Sequence, residues 1–153
     1  MPQWLWHSIY RGKLDKAPID AFSTMTEFHP VITVTYRYND MDKLAFDILH
    51  ELCHIDRHLT KEQTAFISID GGSYSTDPRE KEANEFARQM LVPDAIWNDI
   101  MKMGCKTLSP FQIVKTIALA AESKGISPSI AVARYKHDKN WYSTSAYKSP
   151  KIS

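Results

Sequence analysis

The sequence predicts an α+β fold, a small β-sheet packed with about five helices, on three observations. The run Val31-Ile32-Thr33-Val34-Thr35-Tyr36 is rich in β-branched residues and free of glycine and proline, which is strand composition. Leu44, Ile48, Leu52, Ile55 and Leu59 recur at three- and four-residue steps, the spacing of one helix face. Asp77-Pro78, Ser109-Pro110 and Ser127-Pro128 each place a capping side chain before a proline suited to the first helical position. Short strands among segregated helices make an α+β arrangement. The chain has 153 residues, which favours one domain with a real hydrophobic core.

The elements follow in chain order. Residues 1–30 carry the aromatics Trp4, Trp6, Tyr10, Phe22 and Phe28 and a turn near Ala17-Pro18, and read as an N-terminal extension packing on the domain. The domain itself is expected over 31–140. After the first strand, Asn39-Asp40 supplies helix-start chemistry for a helix from about 41 to 59. Ala65 to Ile69 reads as a second strand, and Gly71-Gly72-Ser73 as a flexible turn. Helices are expected from Arg79 to Leu91, where Val92-Pro93 stops the run, and from Asp94 to Met103, ended by Gly104. Two more span Ser109-Pro110 to Lys124-Gly125 and Ser127-Pro128 to about Lys136. Residues 141–153 read as a basic tail.

Composition excludes several classes. The chain is 43% hydrophobic and 24% charged, with 19 Lys+Arg against 18 Asp+Glu for a net charge of +1. A balance so near neutrality gives no global pull toward nucleic acid. No apolar run approaches the ~20 residues of a membrane span, and Met1 to His7 has no basic segment before a long apolar one, so a signal peptide is not expected. Two cysteines, Cys53 and Cys105, do not make a disulfide framework. Free thiols in a reducing cytoplasm are the expectation.

The segment His50-Glu51-Leu52-Cys53-His54 fits H-E-x-x-H and falls inside the first predicted helix. One helical turn separates the two histidines, so both imidazoles leave the same face and can reach one Zn²⁺. Glu51 projects about 100° round the helix from His50, beside an open coordination position, where a general base belongs. A catalytic zinc needs a third protein ligand. On an ideal α-helix His58 lies about 80° round from His50 and two turns away, so it is expected to cap the helix C-terminus instead. The second helix offers Glu80, which shares a face with Ala83, Asn84 and Ala87. Glu80 is the favoured third ligand, a gluzincin-like choice, with Asn84 one turn below as an outer partner. A competing role remains open: Asp77-Pro78-Arg79-Glu80 also reads as a capping box in which Glu80 bonds the backbone of Asp77. Glu82 and Glu85 are further carboxylates, on other faces.

Leu44 to His54 resembles the start of the ImmA/IrrE-type metallopeptidase domain. Glu80 to Pro93 resembles that family's second motif, E-x-x-A-N-x-F-A followed by a leucine and a proline, at a fitting distance. Gly125 to Tyr135 is similar to its C-terminal helix pair, above all to the version found at the end of HigA-like antitoxin regulators. The resemblance covers about residues 30–140. It implies a zincin-like domain with zinc on His50, His54 and Glu80 and with Glu51 as general base. It also implies a protein substrate, a helix-turn-helix repressor or antitoxin-system protein of a mobile element or stress operon. Two departures stand out: Cys53 where the family often has glycine, and no N-terminal helix-turn-helix domain of the usual kind.

Peptide hydrolysis also needs a group to stabilise the oxyanion. Arg134, Tyr135 and His137, near the end of the fifth helix, are the candidates, although such residues are commonly just surface groups. A DNA-binding role for Ala121 to Ala131 has helix-turn-helix spacing. Pro128 to Ala133, however, offers only Ser129 as a polar side chain, so direct nucleic-acid binding is not expected. A non-catalytic, zinc-stabilised antitoxin or regulatory binding module is the alternative to an enzyme.

Overall fold

The computed structural model describes residues 8–11, 19–35, 40–69, 77–103, 109–141, 148 and 150–151. Cys105, Gly104, the turn at Gly71-Gly72-Ser73 and Asn39 lie outside them. Four strands, β1 (Ser8–Arg11), β2 (Ile19–Met25), β3 (Pro30–Val34) and β4 (Ala65–Ile69), accompany five helices, α1 (Met41–Cys53), α2 (Pro78–Leu91), α3 (Asp94–Lys102), α4 (Pro110–Ser123) and α5 (Pro128–Asp138). The fold is α+β, as the sequence predicts.

The chain packs as two compact units. The first comprises residues 1–39 and 43–87, the second 40–42 and 88–153. In the first unit the strands form one sheet in the order β1-β3-β2-β4. β1 runs parallel to β3, while β2 is antiparallel to both β3 and β4. Segment 1–30 therefore supplies two strands of the sheet, one of them internal. Its β2 escaped the sequence pattern for a physical reason. The buried positions include Asp20 and Ser23, and the register shifts between Ile19 and Ala21, so alternation of apolar and polar residues is broken. The β2–β3 turn is closed by Thr26, whose backbone N–H and Oγ1 both donate to the His29 carbonyl, at 3.1 and 2.6 Å.

Ala21, Ile32 and Val34 form the apolar face of the sheet, and Leu44, Ile48, Leu52 and Ile55 pack against it. These are four of the five residues whose spacing predicts the helix; the fifth, Leu59, stands at the helix end as its C-cap. Lys43 adds a polar tie, its ammonium donating to Asp20 on β2 at 3.0 Å and to Asp47 at 2.6 Å. Burial outweighs the pull of Lys43 and pushes the Asp47 carboxyl up to about 6 from its ordinary 3.8. The folded protein thus binds this proton more tightly than the unfolded chain does. The Asp47 contribution to stability is present below about pH 4 and lost as the pH rises through 6. Metal-free wild type is expected to lose stability relative to Asp47→Asn over that interval, measured by urea unfolding at each pH. Parallel pH profiles for the two proteins would contradict it.

The second unit has its own core, in which Ile100 of α3, Val114, Ile117 and Ala121 of α4, and Ala131 and Val132 of α5 are almost wholly buried. Ser109 closes a capping box with Gln112 at the start of α4. Part of the expected tail docks in this unit: Trp141 packs edge-on against Tyr135 at 6.3 Å, and the Lys151 ammonium donates to Asp40 at 2.6 Å.

Candidate metal centre

The site lies wholly in the first unit and is built on α1. Its apolar stripe faces the sheet, so the residues between the stripe positions face elsewhere. Among them His50, Glu51 and His54 are buried, Glu51 and His54 completely. Beyond Cys53 the helix widens into a π-helical turn over His54–His58, closed by the Leu59 N–H donating to the His54 carbonyl at 2.8 Å.

α2 brings the other half. Asp77 accepts the Arg79 N–H at 2.9 Å and starts the helix with Pro78 in its first turn. Ala83 and Ala87 are fully buried, so the face they share with Glu80 and Asn84 points inward. The Glu80 carboxylate does not turn back to cap the helix. Its two oxygens lie 3.2 Å from His50 Nε2 and 3.3 Å from His54 Nε2, and these two nitrogens are 3.0 Å apart. Burial raises the Glu80 carboxyl, but the two imidazoles overcome it and hold the group at about 2. Asn84 Oδ1 lies 3.0 Å from His50 Nδ1.

The three converging side chains fit a zinc ion. Bonds of ~2.0–2.1 Å at tetrahedral angles set neighbouring ligand atoms about 3.3 Å apart; the two Nε2 atoms here are 3.0 Å apart, and each has one Glu80 carboxylate oxygen beside it, at 3.2 Å from His50 and 3.3 Å from His54. Two imidazoles and one carboxylate are also the donor types of catalytic zinc sites that keep one position open.

Three residues at the site were not anticipated in their roles. Phe66 of β4 stacks on the His54 ring at 4.4 Å, with the Arg79 guanidinium 4.8 Å from its centroid. His58, expected to cap a helix end, is instead buried, its Nδ1 2.8 Å from His54 Nδ1 and its Nε2 3.2 Å from Glu82 Oε2. The expectation weighed His58 against His50 alone. Four residues beyond His54, it stands beside that ring, the centroids 4.9 Å apart. Glu82 also accepts from Arg57 Nη1 at 2.6 Å. The four-residue step from His54 to His58 is the signal that points to this contact.

The proposed oxyanion donors belong to the second unit, and two of the three are buried there rather than on the surface. The Arg134 guanidinium bonds the Val92 carbonyl and the Asp94 carboxylate and lies 4.8 Å from the Trp97 centroid. Tyr135 is part of that unit's core, and only His137 is largely exposed. Ser129, the one polar side chain at the start of α5, is buried and donates to Asp42 at 3.1 Å.

The model of a peptidase family matches residues 7–134, so the fold and this site together define a metallopeptidase-type domain. The family is described as the IrrE N-terminal-like domain, and the chain belongs to it. The match begins inside segment 1–30, in keeping with the strands found there. No curated protein matches the chain at a significant level. Among the described residues no helix is long and apolar enough to cross a membrane.

Proposed function

We propose that the chain is a zinc-dependent endopeptidase that cleaves a cytoplasmic transcriptional repressor or regulator, in a mobile-element, stress or toxin–antitoxin setting. The observation that carries the chemistry is the convergence of His50 Nε2, His54 Nε2 and the Glu80 carboxylate at 3.0–3.3 Å from one another. These three residues would hold the zinc. When bound, the metal would supply a water of pKa about 7 and polarise a carbonyl. Asn84 accepts from His50 Nδ1 and so leaves His50 Nε2 unprotonated as a ligand. Glu51, on the same helix and shielded from solvent, takes the proton from the attacking water and delivers it to the leaving amine. The protein substrate is the part of this reading that the motif resemblance at His50–His54 and Glu80–Pro93 implies.

The test is direct. Purified protein is expected to carry one zinc per chain and to cut the product of the adjacent regulatory gene into two fragments. A strong chelator should stop the cleavage and added zinc should restore it. Binding of the regulator without any cleavage would instead favour the non-catalytic, zinc-stabilised module.

A further inference from the structure

We infer that His58 and Glu82 are positioning residues for His54, a relay that fixes which nitrogen of that ligand carries its proton. The inference rests on the zinc reading above and extends it to residues outside the ligand set.

The protons can be placed one at a time. Zinc on the His50 and His54 Nε2 atoms forces both ring protons onto Nδ1. On His50 that proton goes to Asn84 Oδ1, 3.0 Å away. On His54 it meets His58 Nδ1 at 2.8 Å, which must therefore accept. A neutral His58 that accepts through Nδ1 carries its own proton on Nε2. That nitrogen sits 3.2 Å from Glu82 Oε2, a carboxylate acceptor. The other Glu82 oxygen accepts from Arg57 Nη1 at 2.6 Å. Every donor along the line finds an acceptor, and His54, fully buried and stacked on Phe66, is held in one ring orientation. Ligand imidazoles held in this way by a carboxylate or carbonyl are more basic and better oriented. Here a second histidine carries the effect from the carboxylate to the ligand.

The same neighbourhood offers a competing arrangement. Cys53, His58 and Glu82 place ligand atoms within 4.8 Å of one another and could hold a cation themselves. An ion on His58 Nε2 would move that ring's proton to Nδ1, directly against the His54 Nδ1 proton 2.8 Å away. Glu82 is also already engaged by the Arg57 guanidinium. Proton placement favours the relay.

Zinc affinity, measured by competition with a chromophoric chelator, and the visible spectrum of the cobalt-substituted protein separate these arrangements. His58→Phe keeps a ring beside Phe66 but removes the acceptor. It is expected to weaken zinc binding roughly 10–100-fold and to alter the cobalt bands. Glu82→Ala should shift both readouts in the same direction by less. His58→Gln, whose amide oxygen can accept from His54, should restore affinity to within a few-fold of wild type. The rescue also keeps the test decisive if His58→Phe folds poorly. Wild-type affinity and spectrum in both His58→Phe and Glu82→Ala would overturn the relay. So would a second zinc equivalent lost in Cys53→Ser. Failure of the wild-type protein to bind zinc at all would remove the zinc reading as well, which distinguishes that failure from a failure of the relay alone.

Discussion

Glu51→Gln is expected to keep its zinc and to lose roughly 10²–10⁴-fold in cleavage rate, the range attributed to a positioned general base. The substitution is close to isosteric and replaces a side chain that is fully buried, so packing is disturbed little. It leaves His50, His54 and Glu80 in place, and zinc content should be unchanged. What disappears is a group able to take a proton. Glu51→Asp tests position separately from chemistry. It keeps the carboxylate but withdraws it by one methylene, and a displacement of about 1 Å can itself cost ~10²-fold. Cleavage rates are measured on the regulator by gel, beside metal analysis of each protein. Full activity in Glu51→Gln would rule out Glu51 as base, whatever the zinc content.

Much of this centre is legible in the sequence because helix geometry is local. The four-residue step from His50 to His54 and the phase of Glu51 follow from any α-helix, and the stripe at Leu44, Ile48, Leu52 and Ile55 says that one is present. Glu80 and Asn84 were reachable for the same reason, since two alanines on their face mark the inward side of α2. Legibility fails where long-range pairing or departure from ideal geometry decides. β2 is internal to the sheet, yet Asp20 and Ser23 break its alternation. Asp20 is tied to Lys43 on another element, a partnership that strand periodicity cannot reveal. His58 contacts His54 and Glu82 rather than a helix end, because its phase was weighed against His50 alone and the partner on α2 is far away in sequence. Phe66 comes from a strand that was correctly placed, but its stacking on His54 depends on how sheet and helix meet. Arg134 and Tyr135 looked like surface residues on a helix end, and the core of the second unit claims them both.

Glu80→Ala separates the two roles that the sequence leaves open for this residue, because they differ in magnitude. As a cap, Glu80 would contribute to α2 only through one backbone hydrogen bond, and its loss would cost about 1 kcal/mol of stability with zinc affinity intact. As a ligand, it supplies the single negative charge among three donors, the other two being neutral imidazoles. Removing it leaves two nitrogens, which is short of the three protein ligands of a catalytic site. The fall in zinc affinity is therefore expected to exceed the roughly 10–100-fold that follows from losing an outer partner such as Asn84 or His58. Cleavage should vanish with the metal. Glu80→Gln sharpens the comparison. It retains an oxygen donor and nearly the same shape, so it should bind zinc more weakly than wild type and more tightly than Glu80→Ala. Competition titrations of the three proteins give the order directly. Equal zinc affinity across wild type, Glu80→Gln and Glu80→Ala, with a loss of about 1 kcal/mol in urea unfolding for the alanine variant, would return Glu80 to the role of a helix cap.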